Sequence, residues 1–275
     1  MDDDVPAHVS DADEDDARWS AHIIGALGLE LWSDDGLTHG RATLRPDMWA
    51  PGTEVPRLGV LATMVDVIIG SPPTGALNPT VDLRIALLDR PPSEGDIGLV
   101  GRVLKHGQRL FVGESVLHTG DPDAPFARAI ATFMNNRISD GPGAAPAPPG
   151  VRQAPPDGVD IGSFDALLGA RVLGRGIVAM DAHPRVSNGQ SGTIQGGAQA
   201  LLGEIAAEHA LEPLGRYAAV DLEIRYLNRV RTESVEATAE VLLGDLSGVQ
   251  VRVPLREAGP DGRIVSLVTT TCRGL

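Results

Sequence analysis

The sequence predicts an α+β fold in which one structural plan is used twice, and three observations carry this. Each half of the chain holds one long, almost wholly apolar helical segment followed by four strand-like runs separated by turn residues. The run V-D-L-R-I-A-L-L-D-R at 81–90 recurs as V-D-L-E-I-R-Y-L-N-R at 220–229, an offset of 139 that keeps Val, Asp, Leu, Ile, Leu and Arg. The helical segments just before these runs match at an offset of 138, Gly59 with Gly197 and Asp66 with Glu204. Two segments agreeing in order and spacing indicate a tandem duplication. A long helix followed by short antiparallel strands indicates a helix packed on a sheet.

Length and composition fit this plan. At 275 residues and 42% apolar content the chain is long enough for two ordinary domains or one duplicated one. It has no run of about 18 apolar residues, so no membrane-spanning helix is expected. The N-terminus is acidic and lacks an apolar core, unlike a signal peptide. The single cysteine, Cys272, excludes an intramolecular disulfide and a cysteine-rich zinc site. A cytoplasmic protein is expected. The net charge of −14 argues against nucleic-acid binding, which needs a basic face. Eight acids before residue 17 supply much of it, and the rest of the chain carries −6.

In chain order, residues 1–16 read as a disordered acidic tail, because high charge with few apolar groups cannot offset the entropy of ordering. Residues 17–138 form the first domain. Trp19, Ile23, Ile24 and Leu27 lie on one helical stripe, and strands follow near 29–32 and 38–44. Residues 57–70 are a buried helix, stopped by Gly70-Ser71-Pro72-Pro73. Strands are expected at 80–88, 97–105, 109–118 and 126–134. A linker rich in Pro, Gly and Ala covers 139–159. The second domain, 160–275, repeats the order. It has a short helix at 160–168 capped by Asp160 or Ser163, a strand at 170–179 and a helix at 194–211 ended by Pro213. Strands follow at 218–227, 235–243, 249–255 and 263–271.

The stretch N-G-Q-S-G-T-I-Q-G-G-A-Q-A-L-L-G-E at 188–204 carries the most chemistry. Its glycine-rich helix start, the acidic residue nine positions beyond Gln195 and the following V-D-L-x-I-x-x-L-x-R strand resemble the hotdog-fold acyl-CoA thioesterases. The nearest type is PaaI-like, or 4-hydroxybenzoyl-CoA thioesterase-like. The usual motif is roughly N-x-x-G-x-x-H-G-G. Here Gln195 stands in the histidine place and one extra residue follows Asn188. In the first half Arg57 and Leu58 replace His and Gly, with no equivalent Asn. The resemblance covers roughly 17–137 and 160–273. It implies two tandem hotdog domains, each a long helix wrapped by an antiparallel sheet, with sites at their pairing.

Carried over, Asn188, Gln195, Gly196 and Gly197 would face Asp66, and Glu204 would face the weaker Arg57-Leu58-Gly59 turn. The implied activity is hydrolysis of an acyl-CoA thioester. Coenzyme A is part of the substrate, and no separate cofactor or metal is implied. The Gly196 or Gly197 amide would hold the thioester oxygen, since under-satisfied amides at a helix start suit a developing oxyanion. Asp66, flanked by apolar residues, would act as general base or nucleophile. Asn188 would orient water or bind the carbonyl, and Gln195 would replace the histidine as a ligand donor. Gly59 belongs to the reciprocal site, and Arg90, Arg225 and Arg229 are candidates for the phosphates of coenzyme A. Two such chains could associate as a homodimer.

Other readings stay open at this point. Paired glycines also allow close helix packing, and Asp66 could be a hydrogen-bonded buried acid. Glu204 could lie on a solvated helix face, Asn-Gly is a common turn dipeptide, and strand-end arginines are often simply solvated. The alternative function is a non-catalytic acyl-CoA-binding or structural double hotdog.

Overall fold

The computed structural model describes residues 22–70, 78–135, 161–187, 192–230, 233–245, 248–259 and 262–275. The acidic segment 1–16, the linker 139–159 and the candidate Asn188 lie outside the described residues.

The first half runs α1 (Ile23–Ala26), β1 (Glu30–Asp34), β2 (Leu37–Leu44), α2 (Leu58–Gly70), β3 (Thr80–Leu87), β4 (Gly95–His106), β5 (Leu110–His118) and β6 (Ala127–Met134). The second runs α3 (Phe164–Leu168), β7 (Arg171–Gly174), β8 (Ile177–Asp181), α4 (Gly196–Leu211), β9 (Tyr217–Tyr226), β10 (Ser234–Thr238), β11 (Glu240–Asp245), β12 (Gly248–Glu257) and β13 (Ile264–Gly274). The strands form one antiparallel sheet in the order β1-β2-β4-β5-β6-β3-β9-β13-β12-β10-β8-β7, with β11 attached to β12. Among the described residues no helix is long and apolar enough to cross a membrane.

Two expectations are corrected. The single strand expected at 170–179 is the hairpin β7–β8, turning at Gly176 with φ +69°. The single strand expected at 235–243 is split at Ala239, whose amide donates to the Gly176 carbonyl at 2.8 Å and leaves the ladder. Of the helix expected from residue 16, the described part is Ile23–Ala26, N-capped by the His22 ring, which accepts from the Ile24 amide. Ser163, not Asp160, caps α3, its hydroxyl accepting from the Ala166 amide at 3.1 Å.

The two halves meet along a seam that uses the repeated segments themselves. β3 pairs with β9 so that Asp82 faces Arg225, Arg84 faces Glu223 and Ala86 faces Asp221. Behind the seam, α2 and α4 are wrapped by the sheet. Every residue of α2 is buried except Asp66 and Val67, as its near-continuous apolar sequence requires. The helices cross through glycines. A Cβ on Gly59 would stand 2.6 Å from the Leu201 Cα, and one on Gly197 would collide with the Thr63 hydroxyl. Gly59 is the repeat equivalent of Gly197 and Thr63 that of Leu201. The same contact is thus made twice, by helices running antiparallel about a pseudo-twofold axis.

That axis places each helix start against the middle of the other helix. It also carries each short first helix to the opposite half. The Ile23 amide donates to the Arg185 carbonyl at 2.8 Å, and Asp165 of α3 pairs with Arg57.

Candidate active site

The loops that deliver the two helix starts share one frame. The Arg57 amide donates to the Met48 carbonyl at 3.0 Å, and the Gln195 amide to the Val186 carbonyl at 2.8 Å. Bridges Trp49–Pro56 and Ser187–Ile194 close both loops at the same offset of 138. At the same offset Ala50 corresponds in sequence to Asn188.

At the first junction Asp66 meets the start of α4. Gln195 N-caps that helix: its Oε1 accepts from the Ala198 amide at 3.0 Å while its Nε2 donates to Asp66 Oδ2 at 3.3 Å. This amide orientation gives both neighbours the partner they need. Asp66 Oδ1 accepts from the Thr80 hydroxyl at 2.5 Å. Thr80 reaches the carboxylate because of a bulge. β3 pairs Thr80 with Phe133 and Asp82 with Thr132, so Val81 is extra and Thr80 turns to the helix face of the sheet beside Phe133. Burial pushes the Asp66 carboxyl up to about 6, against the Thr80 bond that pulls it down.

The amides of Gly196 and Gly197 make no hydrogen bond to a side chain or loop carbonyl among the described residues, and Gly196 is part-exposed. Tyr226, at the end of β9, also reaches this place. A Cβ on Gly196 would stand 2.7 Å from its hydroxyl. Burial, with the charge of Asp66 adding to it, holds the phenol well above its usual range.

The second junction has the same parts in a different chemical state. Glu204 is 1% exposed, and both carboxylate oxygens are used: Oε1 accepts from the Leu58 amide at 3.0 Å and Oε2 from the Gly59 amide at 2.6 Å. Arg57, 2% exposed, is clamped by Glu208 at 2.6 Å and by Asp165. Burial and the neighbouring Glu208 push the Glu204 carboxyl up to about 8, with Arg57 and the two amides pulling the other way.

The difference comes down to one methylene and four paired replacements. Glu204 is long enough to occupy the helix-start amides of α2, whereas the shorter Asp66 makes no bond to those of α4. Where the first junction has Gln195, Gly196, Thr80 and Tyr226, the second has Arg57, Leu58, Ala219 and Leu87. The corresponding bulge at Val220 turns Ala219, not a hydroxyl, toward Glu204. Among the described residues nothing fills the start of α4, whereas the start of α2 is filled by the protein's own carboxylate.

The arginines are distributed unevenly about these junctions. Arg90 lies beyond the far end of β3, whose eight residues span roughly 25 Å from Thr80. There it lines a surface hollow of about 230 Å³ with Asp89, Thr119 and Phe126, at the Glu204 end of the seam. Arg225 lies at the Asp66 end but on the outer face, paired with Glu223 at 2.7 Å. Arg229 is exposed at the Asp66 end, and its carbonyl accepts from Arg263 at 2.9 Å.

Sequence reasoning missed Thr80, Tyr226, Asp165 and Glu208. Tyr226 had a legible signal, since it breaks the repeat against Leu87. Thr80 depended on a bulge that spacing does not reveal.

No protein-family model matches this chain, and no curated protein does either. Solved structures do. A provisionally named oleoyl thioesterase of Lactobacillus plantarum matches with TM-score 0.61 at 14% identity, covering 90% of this chain and 99% of that one. The TesB protein of Mycobacterium avium subspecies paratuberculosis matches with TM-score 0.59 at 13% identity, covering 91% and 97%. A hot dog fold protein of unknown function from Alicyclobacillus acidocaldarius matches with TM-score 0.57 at 13% identity, again covering 91% and 97%. The chain has the hotdog fold. At these identities the likeness speaks for the fold, and the α+β expectation of the sequence agrees with it. In hotdog terms, the open junction joins the carboxylate on one central helix to the start of the other.

Proposed function

We propose that this hotdog protein hydrolyses a thioester at the Asp66 junction, and that it does so once per chain. The observation carrying the reading is the pairing of the part-exposed Asp66, its carboxylate held by Thr80 and Gln195, with the start of α4, whose first two amides bond no side chain or loop carbonyl among the described residues. The thioester carbonyl oxygen would rest on the Gly196 and Gly197 amides, where helix-start donors and the helix dipole favour the negative charge that develops there. Asp66 would take a proton from a water as its oxygen bonds to the carbonyl carbon. Collapse of the tetrahedral anion then breaks the carbon–sulfur bond while Asp66 gives its proton to the departing sulfur, releasing a thiol and an acid and regenerating the carboxylate.

Thr80 and Gln195 each hold one Asp66 oxygen, which fixes the carboxylate's orientation and leaves further lone pairs for water. A proton-accepting role is favoured over direct attack by this engagement of both oxygens. The glycine-rich helix start supports coenzyme A thioesters as the substrate class, with Arg229 as the phosphate contact at this end of the seam. Asn188, seven residues before Gln195 in the sequence, would orient the water or bind the carbonyl.

The reciprocal junction supports no reaction, because Glu204 occupies the position a substrate oxygen would need. Incubation with acetyl-, octanoyl- and benzoyl-CoA, followed by a thiol reagent, tests the reading. Thiol release from at least one of them is expected. No release from any would leave the non-catalytic binding alternative.

A further inference from the structure

Gly196 and Tyr226 are exchanged together between the halves. The equivalents of this pair in the first half are Leu58, fully buried, and Leu87. Where the helix start is filled by a carboxylate, two leucines stand. Where it is open, a glycine lies beneath a phenol. The glycine is required by the phenol, because a Cβ at 196 would stand 2.7 Å from the Tyr226 hydroxyl and 2.9 Å from the ring carbon that bears it. Leu222, Ile224 and Tyr226 alternate onto the helix face of β9, so the ring is directed inward while Arg225 points out. The ring packs against the apolar core, and its hydroxyl makes no hydrogen bond among the described residues.

A hydroxyl delivered to the first residue of a helix, beside two amides with no side-chain or loop partner among the described residues, has a natural ligand. Resting on the thioesterase reading above, we propose that Tyr226 is a further catalytic residue, its phenol donating to the thioester carbonyl oxygen alongside the Gly196 and Gly197 amides. The hydroxyl stays protonated throughout and stabilises the tetrahedral anion as a third donor. Its raised pKa, from burial and the nearby Asp66, keeps that proton in place at neutral pH.

Tyr226→Phe keeps the ring and removes the donor. Its kcat is expected to fall by about 10²-fold, the usual cost of losing one oxyanion donor, with KM little changed. The ascending pH limb set by Asp66 should stay where it is, and the thermal midpoint should hold. Unchanged kcat in this variant would overturn the proposal. A second measurement stands apart from turnover. The carba analogue of octanoyl-CoA, sulfur replaced by methylene and the carbonyl labelled with ¹³C, keeps the oxygen but cannot be hydrolysed. Its carbonyl resonance is expected to move downfield on binding the wild type and to lose part of that shift in Tyr226→Phe. An equal shift in both proteins, or no binding to the wild type, would contradict the contact. A Tyr226-dependent shift in a protein that releases no thiol would uphold the contact while sinking the hydrolase reading.

Discussion

At the residue scale, two carboxylates on equivalent turns of two helices have different partners, and the longer one reaches the helix-start amides of the other helix. Glu204 accepts from the Leu58 and Gly59 amides and is buried. Asp66 is held by Thr80 and Gln195 and, unlike Glu204, is part-exposed. With its pKa near 6, Asp66 must be ionised to accept a proton, so kcat/KM should rise with pH through about 6 and then level off. Asp66→Asn should lower kcat by about 10²-fold or more and abolish that limb in a pH–rate profile. Glu204 makes a different prediction. Its folded pKa lies above the ordinary value of 4.5, so the folded state keeps the proton longer than the unfolded chain. Stability is therefore greatest at the acid side and falls as pH rises from 4.5 towards 8. Thermal midpoints measured across this window should fall less steeply for Glu204→Gln than for the wild type.

At the element scale, the two central helices are held at contact by glycine, and the sheet supplies the rest. Gly59→Ala would push a methyl group against the Leu201 backbone, which cannot rotate away as a side chain would. A loss of about 1–3 kcal/mol is expected from such overpacking, read from urea unfolding. Much of this scale was legible in the sequence. The helix 57–70 and eight of the nine strands after the two long helices follow from apolar runs and turn residues, and a Gly-Gly helix start is a local signal. The misses arose where tertiary contacts decide. The β7–β8 turn needs the positive φ of Gly176, and the break before β11 needs the Ala239 bond to the Gly176 carbonyl. The Val81 bulge changes which face Thr80 occupies without altering any apolar period. Arg57 read as a degraded position in the sequence, because its partners Asp165 and Glu208 lie over a hundred residues away.

At the scale of the whole molecule, duplication has produced one sheet and one pair of helices but two unequal junctions. The resemblance implied that Gly197 and Asp66 belong to one junction and Gly59 and Glu204 to the other; across the antiparallel helix crossing Glu204 accepts from the Gly59 amide and Asp66 from the Gln195 side chain that caps α4. Their inequality was less legible, since it rests on the reach of one side chain and on which residues stand around it. The Arg57 cluster ties α2 to α3 and α4, and so stabilises the association of the halves while closing a site. Removing Glu208 would leave the buried Arg57 with Asp165 as its remaining carboxylate partner at hydrogen-bonding distance. A cost of about 1.5–3 kcal/mol, that of lost hydrogen bonds to a charged group, is expected for Glu208→Ala, measured by denaturant unfolding.

The most direct test of the central claim is thiol release from the acyl-CoA panel by wild type, Asp66→Asn and Glu204→Gln at matched pH and confirmed folding. A single working junction predicts turnover close to wild type in Glu204→Gln and a loss of about 10²-fold or more in Asp66→Asn. Turnover that survives in Asp66→Asn and vanishes in Glu204→Gln would contradict it.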